Sequence, residues 1–344
     1  MNPRTLPARF PNVEALEDFM TAPDAALAAD LAAVPGDIML LGVGGKMGPT
    51  LARLARRAAP DRRIIGVARF SEAGLREGLT AAGIETIVCD LLDRSAIEKL
   101  PKAPNVLFMA GRKFGASGDT PLTWAMNVLV PGYVAEAFRA SRIVAFSTGN
   151  VYPFVPVNGQ GATEETEPLP PPNDYSYTCL GRERVFQYFS KLHGTPGRIY
   201  RLNYAIDMRY GVIHDICRKV RDGAEIDLRM GHVNVIWQGD ANAVALRCLR
   251  HATTPTTPIN VSGPETISVR WVAEQCGRLL GKKPVFVGQE SAEGWLTNTA
   301  RMCAEFGYPS VPLMRMVEWT ADWLGRDMPT HNKPTRYELR DGRF

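Results

Sequence analysis

Apolar residues in this chain fall into short runs spaced by amphipathic stretches, and the rhythm is regular between residues 37 and 202. Residues 38–41 (Ile-Met-Leu-Leu) form an unbroken apolar run, as expected of a strand buried on both faces. Similar runs at 63–68, 85–89, 105–109, 143–146 and 197–202 predict five more strands. Between them, 3.6-residue spacing predicts helices at 47–59, 71–82 (capped by Ser71), from Asp93, at 122–140 and at 175–193. Strands each followed by a helix predict an α/β fold with a doubly wound parallel sheet covered on both faces.

Two regions depart from this rhythm. Residues 1–35 predict a helical extension, with helices at 13–20 and 25–31 and Asp24 as the cap of the second. Residues 153–173 carry six prolines and three glutamates and predict a long acidic loop, which inside a compact domain points to function. After Asn203 the pattern becomes shorter. It predicts helices at 213–220, 240–251, 269–280, 293–306 and 313–324, strands at 258–261 and 285–287, and an antiparallel pair from 227–229 and 233–237. The expected organisation is an extension (1–35), a dinucleotide-binding domain (36–203) and a smaller C-terminal α/β substrate lobe (mainly 204–344).

The turn after the first strand, Leu40-Leu41-Gly42-Val43-Gly44-Gly45-Lys46-Met47-Gly48, places Gly42, Gly45 and Gly48 at G-x-x-G-x-x-G spacing between a strand and a helix. Such a turn lets backbone amides approach a pyrophosphate whose charge rests on the next helix N-terminus. This makes the expected sheet a Rossmann fold. Lys46 and Met47 lie inside the turn, where the lysine ammonium is in reach of a phosphate. At the end of the second strand stands Arg69 rather than an acid, which favours NADP over NAD as the NAD(P) cofactor.

Composition changes the picture little. The chain has 344 residues, 45% hydrophobic and 22% charged, with a net charge of +4, ordinary for a globular protein and no case for nucleic acid or a membrane as partner. Six scattered cysteines lack C-x-x-C spacing and read as reduced thiols. With no basic-then-apolar leader and no apolar run of roughly 20 residues, the expected location is cytoplasmic. Histidines 193, 214, 232, 251 and 331 show no metal spacing, so no metal is expected; His214 and His232 fall in the expected substrate lobe.

Several motifs in order resemble the extended short-chain dehydrogenase/reductases, in particular the NAD(P)-dependent epimerase/dehydratase group, over roughly residues 36–325. The glycine turn matches, with Leu41 where the family usually has threonine. Cys89-Asp90-Leu91 resembles the acidic segment that contacts adenine, and Met109-Ala110-Gly111 the small-residue turn after the fourth strand. Asn127 falls at the family's helix asparagine. Phe146-Ser147-Thr148-Gly149-Asn150-Val151-Tyr152 is similar to its Ser-Ser/Thr-x-x-Val-Tyr segment. Arg201-Leu202-Asn203-Tyr204 resembles the segment that lines nicotinamide and substrate, and residues 259–269 the late strand and helix start of the substrate lobe.

The resemblance implies cofactor contacts from Asp90, Leu91, Ala110, Gly111, Asn127 and Asn203. It implies catalysis by a Ser/Thr hydroxyl, a tyrosine and a lysine four residues beyond it. Thr148 supplies the hydroxyl. Tyr175 aligns with Thr178, Leu180 and Glu183 in place, but its lysine position holds Cys179. In the other register, Tyr177 meets Gly181. A tyrosine of ordinary pKa near 10 is a poor base at neutral pH without a nearby cation. Three outcomes stay open: another cation such as Arg182 or Lys113 substitutes, a neutral tyrosine works as a donor, or the site binds without turnover. The implied function is hydride transfer on a sugar-like hydroxylated small molecule by an oxidoreductase or epimerase, in a homodimer built on the helices at 122–140 and 175–193. The alternative is a non-catalytic NAD(P)-binding sensor.

Overall fold

The computed structural model describes residues 5–113 and 118–340. Seven parallel strands form the central sheet: β1 (Ile38–Leu41), β2 (Ile64–Ala68), β3 (Glu85–Val88), β4 (Asn105–Phe108), β5 (Arg142–Thr148), β6 (Gly197–Leu202) and β7 (Thr257–Val261). Their order is β3-β2-β1-β4-β5-β6-β7, with the switch point between β1 and β4. The chain enters it from the turn between β1 and α3 (Gly48–Ala58). In an open parallel sheet, ligands bind at the carboxyl ends of the strands beside such a switch. All four residues of β1 are buried, which accounts for their uninterrupted apolar character.

The helical extension spans two layers. In α1 (Val13–Met20), Leu16 and Met20 pack with Phe10 into the lobe core beside Trp237 and Trp319. In α2 (Ala25–Ala32), Leu27 and Leu31 pack under the sheet, and Asp24 caps by accepting from Leu27 N at 2.7 Å. Helices α4 (Leu75–Ala81) and α5 (Arg94–Lys99) cover the β2–β4 half. The predicted start of α4 at Ser71 is corrected: Gly74 has φ +78 immediately before the helix, and that left-handed backbone interrupts it.

The single helix expected at 122–140 is corrected to α6 (Thr120–Trp124), a π-turn (Ala125–Leu129) and α7 (Val130–Ala137). Pro131 has no N–H to give to the carbonyl of Asn127, four residues back. Val130 N instead bonds Ala125 O, and the Asn127 carbonyl accepts from Arg182 Nε at 3.5 Å. Helix α8 (Asp174–His193) crosses this segment, capped by Asn173.

The C-terminal part contains α9 (Val212–Asp222), α10 (Gln238–Arg247), α11 (Val269–Leu280), α12 (Ala300–Phe306) and α13 (Leu313–Gly325). The expected antiparallel pair at 227–237 does not form. Glu225–Asp227 pairs in parallel with Val285–Val287, His232–Val233 pairs antiparallel with Ile267–Ser268, and Ile236–Trp237 pairs in parallel with Ala205–Ile206. These partners are remote in sequence, and no local pattern announces them. The helix expected over 293–306 starts at Ala300, because Glu293–Gly294 instead pairs with Val155–Pro156 of the proline-rich loop. The expectation of six reduced cysteines is corrected for one pair. Helices α9 and α11 bring Cys217 and Cys276 to a Cα separation of 5.4 Å, and the two are disulfide-bonded.

A buried polar chain ties α8 to β6 and β7. Arg201 makes a two-pronged ion pair with Glu183, with Nη2 to Oε2 at 2.7 Å. Ser147 Oγ also donates to Glu183, Arg201 Nη1 donates to the Tyr152 hydroxyl at 2.6 Å, and that hydroxyl donates to Asn260 Oδ1 at 2.9 Å. This frame holds the carboxyl end of β5 against α8, where the functional residues stand.

Candidate functional site

A trough runs across the carboxyl ends of β1, β2, β4 and β5. It has two joined compartments that share Gly45 and Met109.

The first compartment, about 320 Å³, gathers Gly42, Gly45, Arg69, Asp90, Leu91, Ala110 and Gly111 from the sequence-derived set. Gly42 has φ +93, and a Cβ there would lie 2.6 Å from the Ala110 backbone nitrogen, so only glycine lets the β1 turn and the β4 turn approach. Gly48 is packed against the carbonyl of Val43, 2.1 Å from where its Cβ would sit. The amides of Gly44, Lys46 and Met47 take no hydrogen-bond acceptor among the described residues, and they stand at the N-terminus of α3, where an anion is favoured. This donor set fits a pyrophosphate. A Gly48→Ala protein is expected to lose more than tenfold in dinucleotide affinity while remaining folded, read by calorimetric titration beside a circular-dichroism melt.

The second compartment, about 270 Å³, is lined by Lys46, Met47, Thr148, Asn150, Tyr175 and Asn203, with Lys113, Tyr204, Tyr210 and Thr335 completing the walls. Thr148 caps the short turn after β5, its hydroxyl accepting from Asn150 N at 3.2 Å and donating to Asn150 Oδ1 at 2.9 Å. The Asn150 amide nitrogen is buried and has no partner among the described residues, leaving a donor on this wall. Tyr204 holds a positive φ of 48 at the start of the lobe, a strained backbone of the kind found where a site fixes a side chain.

Helix α8 settles which tyrosine faces the site. Tyr175 enters the cavity, whereas Tyr177 points outward and is 44% exposed. The Tyr175 hydroxyl is hydrogen-bonded to both Thr148 and Cys179. Burial, with Cys179 next to it, pushes the phenol well above its usual pKa; Arg182 and Thr148 pull the other way without restoring it. Burial also raises the Cys179 thiol, so it is a neutral neighbour at physiological pH.

Two cations stand near. Arg182, one turn beyond Cys179, is buried and donates to Phe146 O at 2.9 Å and to Asn127 Oδ1 at 2.8 Å. Its guanidinium fits because residue 111 is glycine, where a Cβ would lie 2.5 Å from Nη2. Lys113, on the loop after β4, carries its ammonium 5.9 Å from the Tyr175 ring centroid. Burial lowers its pKa to about 8, with Arg336 in the same direction.

Some expected residues sit elsewhere. Asn127 lines neither compartment. Its amide receives Arg112 N and donates to Arg112 O and Thr178, so it braces the β4 turn against α8. Lys46 aims across the cleft rather than along the phosphate cradle, donating to Ala205 O at 3.4 Å and lying 3.8 Å from the centre of the Tyr210 ring. No residue of the 153–173 loop, expected to cover the substrate, lines either compartment; the loop binds the lobe through Ala162 and Asn298. His214 and His232 line neither. Tyr210 and Thr335 had no sequence signal, since each reaches the site by tertiary packing alone.

A family model described as the NAD dependent epimerase/dehydratase family matches residues 38–228. Solved structures of the same fold include UDP-glucose 4-epimerase from Thermotoga maritima with UDP-glucose, 15% identical, TM-score 0.69, covering 85% of this chain and 99% of that one. UDP-glucose 4-epimerase of Thermus thermophilus in complex with NAD is 20% identical, TM-score 0.68, over 83% and 98%. A dTDP-glucose 4,6-dehydratase from Bacillus anthracis in complex with NAD is 16% identical, TM-score 0.71, over 85% and 97%. No curated protein matches the chain.

Proposed function

We propose, for a chain that belongs to the NAD-dependent epimerase/dehydratase family, an NAD(P)-dependent oxidoreductase or epimerase acting on a sugar-like hydroxylated small molecule. The observation that carries the reading is Thr148 and Tyr175 together on the wall of the second compartment, with Cys179 buried against Tyr175, in a cavity joined to the pyrophosphate cradle. When bound, the nicotinamide supplies or accepts the hydride. The protein's share is to hold and move a proton. Tyr175, protonated at neutral pH, donates it to a carbonyl oxygen as that carbon is reduced, while Thr148 orients the same oxygen. Asn150 Nδ2 offers a second hydrogen bond. Burial, with Cys179 beside it, keeps the proton on Tyr175 at pH 7, so the tyrosine is present there as a proton donor and not as a base, which suits reduction of a carbonyl.

Arg69 and Ser71 stand on the adenosine side of the first compartment, which supports NADP as the preferred cofactor. An Arg69→Ala protein is expected to lose about tenfold, about 1.4 kcal/mol, in NADP affinity with NAD affinity unchanged. The reading as a whole is tested by titrating the protein with both reduced dinucleotides and then following nicotinamide absorbance over a panel of ketoses, sugar acids and polyols. Oxidation of bound cofactor supports it. Tight cofactor binding with no exchange across the panel favours the sensor instead.

Leu129, Tyr188 and Leu192 are 48%, 61% and 57% exposed on the outer face of the π-turn and α8, beside an apolar groove lined by Trp124, Val128 and Phe189. We read this face as a homodimer contact. Leu129→Asp is expected to halve the mass measured by light scattering without lowering the melting temperature of the monomer's sheet.

A further inference from the structure

The second compartment differs from a neutral sugar site in its charge and in its roof. Lys46 enters from the glycine turn and Lys113 from the β4 loop, and both ammonium groups stand in one cavity of about 270 Å³. Among the described residues, no carboxylate lies within salt-bridge distance of Lys46 Nζ. Asp207 and Asp215 raise its pKa from a distance but are bound by other groups: Asp207 is chelated by Arg209 through Nε and Nη2, and Asp215 Oδ2 accepts from both the amide and the hydroxyl of Thr335 at 2.6 Å. Burial and the neighbouring Arg209 and Lys113 lower the Lys46 pKa to about 7. The two lysines repel each other across this cavity. An anion is the ligand that relieves this arrangement.

The roof is the segment 330–340. His331 N bonds Arg209 O, Thr335 is held by Asp215, and Tyr337 is buried in the lobe core. Glu338 pairs with Lys219 at 3.2 Å, and Arg340 donates to Arg229 O and Glu293 O. This strap crosses the cavity at Thr335 and reaches the first compartment at Lys333. The cavity, which must also admit the nicotinamide, is smaller than the roughly 300–1,000 Å³ typical of sites that enclose a larger ligand. Thr335 of the strap narrows the space left for a nucleotide-linked sugar in this compartment.

We propose that the substrate is a small polyhydroxylated anion, its carboxylate or phosphate held between Lys46 and Lys113 beneath the 330–340 strap, and not a nucleotide-linked sugar. The assignment rests on the hydride-transfer reading for the orientation of the hydroxyl groups toward Tyr175, but its binding chemistry is independent of turnover. Lys46 and Lys113 are specificity residues in it, each a point charge that accepts either anion.

Isothermal calorimetry on the full chain, with and without NADPH, separates the two readings because it requires no reaction. The ligands are gluconate, glucose 6-phosphate, sorbitol and UDP-glucose. One of the two small anions is expected to bind at least tenfold more tightly than sorbitol, and the better of them tells carboxylate from phosphate. UDP-glucose is expected to bind at least tenfold more weakly than that anion. Lys46→Met and Lys113→Met each weaken the anion at least tenfold, and Lys113→Arg retains it within threefold, which distinguishes loss of charge from loss of fold. The proposal is overturned if neither small anion outbinds sorbitol, if UDP-glucose binds as tightly as they do, or if both methionine variants keep full anion affinity. Failure of the absorbance assay with these binding results intact would remove the hydride-transfer reading and leave the anion site standing.

Discussion

Tyr175→Phe is expected to keep dinucleotide affinity within about twofold and to lose about 10²- to 10⁴-fold in hydride exchange, the span of one positioned acid or base. The change removes the hydroxyl alone, the group that meets Thr148 and Cys179. The phosphate cradle is on the other side of Met109 and does not change. The pH dependence carries the same argument. Burial disfavours the phenolate, so the proton stays on Tyr175 through the physiological range. Reduction of a carbonyl uses the protonated form, and the Tyr175 contribution to its rate is flat up to pH 10. Oxidation of an alcohol uses the deprotonated form, whose fraction rises tenfold for each pH step, so oxidation is expected to climb from pH 7 to pH 10 without a plateau. Rate measurements in both directions at saturating ligand check this.

Arg201→Leu is the second large effect, on stability rather than chemistry. Arg201 and Glu183 are 2% and 0% exposed at their side chains, and each satisfies the other. Removing one partner leaves a charge buried without compensation, which costs about 3–5 kcal/mol. Tyr152 loses its donor at the same time. Replacing both ions, as Arg201→Leu with Glu183→Leu, removes the orphaned charge and is expected to recover at least half of that loss. Urea denaturation of the two single variants and the double variant measures the coupling. A double variant no more stable than the singles would show that the pair's geometry, not its charge balance, holds β6 to α8.

The parts of this protein that could be read along the chain are those whose causes are local. Ile38–Leu41 had to be a doubly buried strand because nothing in it tolerates water. The turn at 42–48 had to be glycine-rich because two backbones meet there. Asp24 caps the helix whose start it marked in the sequence. What stayed illegible depends on distant partners. The π-turn at Ala125–Leu129 needs both Pro131 and the guanidinium of Arg182 from another helix. The small strand pairs of the lobe join residues tens of positions apart. The Cys217–Cys276 bond follows from the packing of α9 on α11, not from spacing.

At the site, Thr148, Tyr175 and Cys179 were visible as a motif with a lysine missing. Their meaning was not visible, because it depends on where the nearest cations come to rest. Arg182 is spent on Phe146 O and Asn127, and Lys113 arrives at the ring from a separate loop. Lys46 shows the same limit in reverse. Its place in the glycine turn suggested a phosphate, and its side chain crosses to Ala205 and Tyr210. The strap at Thr335 is invisible to any local pattern, since its anchor is Asp215, 120 residues earlier.

The account stands on Tyr175 being a protonated donor that Arg182 and Lys113 do not turn into a base. Its most direct test is a tyrosinate absorbance titration of the wild-type protein with the Tyr175→Phe titration subtracted, both saturated with dinucleotide. The expected difference curve is flat to pH 10 and ionises only above it. A step below pH 9 would contradict the account, showing that a nearby cation replaces the missing lysine and that Tyr175 is poised as a base.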